Sequence, residues 1–291
     1  MNLADSRPSA GRRLEIVHHT RLRYADDVSV SFNEVRMTPL TENGQVVLNH
    51  EIRVKPAGSL TRYVDYWGAK VAALELHTPH RELEIRATST VLVPGRRELT
   101  PPAEWTALRE PDFIDANCEY LEFTELADVG LPSGLAADVV AELAAAPTPR
   151  DAIVGCVRAV RNQIAYEPGI TSVATTASEA WAAGRGVCQD FSHATLAILR
   201  ALGIPARYIS GYLHTEEPAP GRTVVGESHA WVECWDGEWN AVDPTNDRRV
   251  GAAHVLVARG RDYADVPPIT GIFAGGPGAG QSVEVQITQV E

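Results

Sequence analysis

Apolar and polar residues along this chain change their period near residue 100. Before it, short runs alternate with period two: Leu14-Glu-Ile-Val17, Val28-Ser-Val-Ser-Phe32, Val46-Val-Leu48, Glu51-Ile-Arg-Val54 and Leu83-Glu-Ile-Arg-Ala87. Asn43-Gly44, Pro56-Ala-Gly58, Trp67-Gly68 and Pro94-Gly95 punctuate them as turns. Such alternation half-buries each strand, and strands at this spacing predict an antiparallel sandwich or small barrel. Beyond a proline-containing connector from Leu99 to Pro111 the spacing becomes helical. Leu135–Ala146 is one such stretch, stopped by Pro147 and Pro149. Arg150–Gln163 is another, with Ile153, Val157, Val160 and Ile164 on one face. Val255-Leu-Val257 and Val283–Val290 read as later strands, the second preceded by a glycine-rich loop at Gly275–Gly280. The expected organisation is a flexible tail over 1–13, a β-rich domain over 14–100 and a connector with helices over 101–150. A core over 151–291 follows, its final strand returning to the sheet region.

With 291 residues, 44% of them hydrophobic and 22% charged, the chain can bury a sizeable core and does not have the composition of a disordered protein. A formal net charge of −12 repels nucleic acid and anionic membrane surfaces, so neither is an expected partner. No apolar run approaches the ~18 residues that span a bilayer, and Met1–Arg13 has no apolar leader segment. The expected location is the cytoplasm. Four widely spaced cysteines without a Cys-x-x-Cys pair fit that reading as reduced thiols.

One of those cysteines stands apart. In Gly184-Arg-Gly-Val-Cys-Gln-Asp-Phe-Ser-His193, Cys188 falls between a glycine-rich turn and an apolar helix. Val187, Phe191, Ala194, Ile198 and Leu202 recur at helical spacing, Gly203 suits the position after the cap, and Pro205 prevents continuation. A thiol becomes a strong nucleophile when ionised, which a helix N-terminus and a nearby imidazole both favour. Ser228-His-Ala-Trp-Val-Glu233 supplies the imidazole of His229, and Ala241-Val-Asp-Pro-Thr245 supplies an orienting carboxylate, Asp243. Trp235-Asp-Gly237 suits a three-residue hairpin loop between them. Closing the hairpin there sets Cys234 opposite Glu238 and His229 opposite Asp243, with Cys234 on the other face from His229. No second ligand pair accompanies Cys188 and His193, so no metal site is expected. His18, His19, His77, His80, His214 and His254 read as surface or structural histidines.

Four segments together resemble the transglutaminase-like cysteine hydrolase superfamily: Gly186-Val-Cys-Gln-Asp-Phe191, Ala201-Leu-Gly-Ile-Pro-Ala-Arg207, Ser228–Glu233 and Trp239-Asn-Ala-Val-Asp-Pro-Thr245. Tyr24, Ser31-Phe-Asn-Glu-Val-Arg36, Pro39, Pro79-His80 and Ser89 resemble the β-rich region preceding this core in bacterial members, and Gly260-Arg-Asp-Tyr-Ala-Asp-Val-Pro-Pro268 matches the same group. Ala69 departs from the asparagine expected after Trp67-Gly68. The resemblance implies an α+β fold: a papain-like transglutaminase core, its cysteine helix packed on an antiparallel sheet, preceded by an N-terminal β-sandwich-like domain. It also implies a Cys188-His229-Asp243 triad and acyl transfer without a cofactor, and Asp262 and Tyr263 closing the cleft from the C-terminal side.

On this reading Cys188 attacks an amide or peptide carbonyl, His229 carries protons, Asp243 orients His229, and water releases the acid. The backbone N–H of Cys188 is the first expected oxyanion donor, with the Tyr166 hydroxyl or the Gln189 side chain as candidates for the second. Arg185, Asp190 and Trp231 stand either as cleft-shaping residues or as an ordinary salt bridge and core aromatic. Two rivals are transfer to an amine, as in a protein-glutamine gamma-glutamyltransferase, and a non-catalytic binding module.

Overall fold

The computed structural model describes residues 9–216, 219–226 and 228–290. The alternating N-terminal half forms five strands: β1 (Arg12–Val35), β2 (Val46–Lys55), β3 (Ser59–Val64), β4 (Lys70–Leu76) and β5 (His80–Val93). The long β1 organises them. Residues 12–23 pair with β5, while Ser31–Val35 pair with β4, which carries β3 on its far side. Strand alternation sorts the side chains as expected, with Leu14, Ile16, Val28, Leu74, Leu83, Ile85 and Val91 inward. Val28, Val35, Leu74, Leu76, Leu83 and Ile85 make a core inside this unit. Leu14, Ile16, Val91 and Val93 instead join the main core of the molecule.

Helices α1 (Pro111–Ala116), α2 (Cys118–Leu121), α3 (Ala137–Leu143) and α4 (Pro149–Gln163) follow. Thr148 caps α4 by accepting from the Asp151 N–H at 3.2 Å, and Pro149 occupies the first turn, where its missing N–H costs nothing. Ala152, Ile153, Cys156, Val157 and Val160 form its buried stripe. Then come β6 (Ala165–Tyr166), α5 (Ala177–Ala183), β7 (Arg185–Gly186) and α6 (Cys188–Ala201). Helix α6 is buried from Gln189 through Arg200, so it forms the centre of the core rather than a flank.

Strands β8 (Ala206–Leu213), β9 (Thr223–Gly226), β10 (His229–Trp235), β11 (Trp239–Asp243), β12 (Arg248–Arg249) and β13 (His254–Gly260) come next. Five of them form an antiparallel sheet in the order β12-β11-β10-β8-β13. Ala230, Val232 and Cys234 of β10 join the core cluster that holds α6, and Trp231 packs with Leu40, Ile209 and Leu256 in a separate one.

The last two strands, β14 (Ile269–Gly275) and β15 (Gly278–Gln289), belong to the N-terminal sheet, both pairing with β1, and β15 also carries β9. That sheet therefore needs the C-terminus to be complete, and a division at residue 100 separates strands that are hydrogen-bonded. The expected tail is also shorter than residues 1–13. Arg12 and Arg13 pair with Val93 and Leu92, and the Ser9 N–H donates to the Arg96 carbonyl at 3.3 Å, while residues 1–8 lie outside the described residues. The two units are tied together by buried polar groups. The Gln45 side chain donates to the Leu40 and Leu256 carbonyls at 2.6 and 2.9 Å and accepts from the Leu256 N–H at 2.9 Å. His18 Nδ1 meets the Tyr212 hydroxyl at 2.9 Å. Among the described residues no helix is long and apolar enough to cross a membrane.

Candidate active site

Cys188 opens α6, half-buried at the point where β7 hands the chain to the helix. The turn is built around Asp190, whose Oδ2 accepts from the Val187 N–H and the Thr171 hydroxyl, both at 2.7 Å. A Cβ on Gly186 would lie 2.6–2.9 Å from the Asp190 carboxyl, so glycine is required for this close approach. Burial holds the Asp190 carboxyl above its usual range, although the Val187 and Thr171 bonds favour the carboxylate. Asp190 thus builds the turn that presents Cys188.

The β10–β11 hairpin supplies the other two groups, in a register that corrects the expected one. The loop is three residues long but comprises Asp236, Gly237 and Glu238, with Trp235 paired to Trp239 and Cys234 to Asn240. Gly237 takes φ +120°. The buried Asp236 sets the register by accepting from Asn240 Nδ2 at 2.7 Å and pairing with Arg150 at 2.5 Å. Continued outward, this register puts Trp231 across from Asp243 and shifts the partner of His229 by two residues. A shift of two preserves the face, so His229 and Asp243 still project to the same side. They meet at 2.9 Å between Nε2 and Oδ2.

Asp243 is fully buried and saturated with donors. Its Oδ1 accepts from the Thr245 and Asn246 N–H groups, each at 3.1 Å. Its Oδ2 accepts from Asn246 Nδ2 at 2.8 Å, from His229, and from His254 Nε2 at 3.1 Å. Burial alone would raise its pKa, but the charge and hydrogen bond of His229, with the His254 bond, hold it well below the usual carboxylate range. Burial likewise disfavours a charged His229. Asp243, aided by the neighbouring Cys188, outweighs it and holds the imidazolium to about pH 10. With Nε2 committed to Asp243, Nδ1 is the ring nitrogen left for a second partner. The set is an ionised carboxylate, an imidazolium and a cysteine sulfur at a helix start.

The remaining expected residues fall in different places. Gln189 is buried, and its Nε2 donates to the Val173 carbonyl at 3.2 Å, so the side chain anchors the preceding loop. Tyr166 is exposed and lies beside Gly186 in the parallel β6–β7 pair, two residues before Cys188. Arg185 is exposed and pairs with Glu167 at 3.5 Å. Trp231 is buried and stacks on His229, with ring centroids 6.0 Å apart. Asp262 is buried, and its Oδ1 accepts from the Ala264 N–H at 2.8 Å at the start of a 3₁₀ turn over Tyr263–Asp265. The Tyr263 N–H donates to His193 Nε2 at 3.2 Å, fastening that turn to α6.

His254 and Asn246 went unnoticed in the sequence. Of the surface and structural places that the sequence allows for His254, the structure gives it the second, as a buried partner of Asp243 at the start of β13, every residue of which is buried. An imidazole leading an apolar strand must find a partner, and that was the available signal. His229, Asp243 and His254 also place three potential ligand atoms within 4.8 Å of one another, a grouping that linear spacing did not suggest. A cavity of about 370 Å³ between the two units has Trp231 and His254 in its wall, along with Arg96, Arg207 and Arg249.

An α+β core with a thiol helix against an antiparallel sheet, and a thiol–imidazole–carboxylate set at one end, defines a cysteine-dependent enzyme class. Residues 137–244 match the transglutaminase-like superfamily and residues 14–92 the bacterial transglutaminase-like N-terminal region. The chain belongs to this superfamily. It is 39% identical to the uncharacterized protein ML0607 of Mycobacterium leprae, over 96% of this chain and 99% of that one. A candidate cysteine protease from Cytophaga hutchinsonii shares the fold at TM-score 0.75 and 20% identity, over 98% of this chain and 93% of that one. A stretch of 65 residues is 45% identical to a protein-glutamine gamma-glutamyltransferase of Pseudomonas aeruginosa, covering 21% of this chain and 10% of that one.

Proposed function

We propose that the protein hydrolyses an amide or peptide bond through a thioester on Cys188, with His229 and Asp243 as base and orienter. The observation that carries this reading is His229, bonded to Asp243 at 2.9 Å, with Asp243 and the neighbouring Cys188 both favouring its charged form. Cys188 Sγ attacks the carbonyl carbon while His229 holds the thiol's proton. The C–N bond breaks, and the amine leaves with that proton. Neutral His229 then takes a proton from water, hydroxide attacks the thioester, and the acid departs as the thiol is restored. The backbone N–H of Cys188, in the first helical turn, has no partner four residues back and is free to stabilise the oxyanion. Tyr166, beside Gly186 in the β6–β7 pair, is a candidate for the second donor.

Transfer to an amine is the second reading, favoured by the segment resembling a gamma-glutamyltransferase. Its chemistry is the same until an amine replaces water. A panel of peptide amides and glutamine peptides, incubated with and without a primary amine, separates the two. Release of free acid unaffected by amine supports hydrolysis, and an amine-dependent adduct supports transfer. Turnover that survives Cys188→Ala would remove both, and a panel with no turnover by the unaltered protein would leave a binding module.

A further inference from the structure

We propose that His254 is a positioning residue of this reaction: its Nε2–H holds the Asp243 carboxylate in the orientation that receives His229. The inference rests on the triad reading above.

The geometry fixes the direction of the bond. The Gly251 N–H points at His254 Nδ1 at 3.4 Å, so Nδ1 accepts, and the ring proton lies on Nε2, 3.1 Å from Asp243 Oδ2. Burial keeps the ring below the ordinary histidine pKa despite Asp243, so a neutral donor, not a second cation, faces the carboxylate. The ring cannot swing away. It is 4% exposed and meets Trp231 edge-on with centroids 5.3 Å apart, while Trp231 stacks on His229. His254, Trp231 and His229 thus form one packed row along the same carboxylate.

Asp243 therefore has two imidazoles on one oxygen with unequal duties. His229 must exchange protons with substrate, whereas both nitrogens of His254 are engaged, by Gly251 and by Asp243. Its work is electrostatic and geometric. It contributes to keeping Asp243 ionised, so that the proton held by His229 goes to the leaving group rather than to the carboxylate. The other charged group facing both residues is Arg248, 3.9 Å from Asp243 Oδ2.

The test compares His254→Gln with His254→Asn in the full chain. Glutamine places an amide N–H near the Nε2 position and so keeps the bond to Asp243. Asparagine reaches only the Nδ1 position, keeping the Gly251 contact and losing Asp243. Both are polar and smaller than histidine, so their folding costs are comparable. The expected result is that the Gln variant keeps kcat within a few-fold. The Asn variant should lose roughly 10- to 100-fold, the scale of a hydrogen bond to a charged group, with KM little changed. The low-pH limb of iodoacetamide alkylation at Cys188 should move to higher pH in Asn and stay in place in Gln, because the lost bond is one that holds Asp243 ionised. Equal kcat and superimposed limbs for the two variants would overturn the role of His254. If Cys188 of the unaltered protein were not alkylated ahead of the other cysteines, the triad reading would fall, and this inference with it.

Discussion

Asp243 follows Val242, which pairs with Val232, so the register carried one residue further sets Asp243 opposite Trp231 and the carboxylate reaches His229 along the diagonal, at 2.9 Å between Oδ2 and Nε2. Diagonal neighbours on a sheet are within reach of long side chains, and the buried Trp231 ring stacks on His229 with centroids 6.0 Å apart. Asp243 can accept from five donors only as a carboxylate. Asp243→Asn presents an NH₂ to at least one of them. Turnover should fall roughly 10²- to 10⁴-fold as the His229 tautomer is lost. The misfit also costs about 1–3 kcal/mol of stability, which for a chain of this size lowers the thermal midpoint by several degrees. A folded Asn variant with turnover near that of the original would remove Asp243 from the site.

Cys188 should be the first thiol to react. Burial pushes the thiols of Cys156 and Cys234 up, and both sit in the core. Cys118 is exposed but has no imidazole hydrogen-bonded to it among the described residues. Sub-stoichiometric alkylation followed by mass mapping should place the label on Cys188, and Cys188→Ala should abolish turnover. Earlier labelling at Cys118, Cys156 or Cys234 contradicts the assignment.

Stability should decline on both sides of pH 6.5, for different reasons. His229 binds its proton up to about pH 10 in the native state, well above an unfolded histidine. Its contribution is complete below pH 6.5 and is lost as pH rises through 10. His18 and His50 behave oppositely: burial, aided by His19 for the first and by Arg62 and Lys70 for the second, depresses both to about 4. Burial with Arg200 takes His193 to about 3. The unfolded chain accepts protons that these three refuse, so stability falls from pH 6.5 toward 3. Thermal midpoints across this range should show both slopes, and His229→Gln should flatten the alkaline one. An unchanged alkaline slope in that variant would mean His229 is not held protonated.

No step of the proposed reaction passes through a metal. His229, Asp243 and His254 could ligate one, but the same atoms are already hydrogen-bonded to one another. EDTA should leave turnover unchanged, and added zinc should inhibit by taking the nitrogen with which His229 binds Asp243. Activity abolished by chelation and restored by calcium or zinc would overturn the metal-free mechanism.

Local pattern alone determined much of this molecule. The start of α6 at Cys188 was legible because a glycine turn, an apolar repeat of helical period and a stopping Gly203-Ile-Pro205 are all local signals. The shared face of His229 and Asp243 was legible too, because strand parity survives a register error of two. The register itself was not, since Asp236 is held by Arg150, 86 residues away, and no rule of turn chemistry contains that contact. The return of the last strand to the sheet region was expected, but its pairing with β1, the pairing of β14 with β1, and the place of His254 behind Asp243 were decided in the same way. Each brings together residues remote in sequence, or on strands whose order in the sheet the sequence does not state. Period and turn chemistry act over a few residues. Sheet order and the burial of a polar group are settled by long-range packing and by the need to pair every buried donor and acceptor.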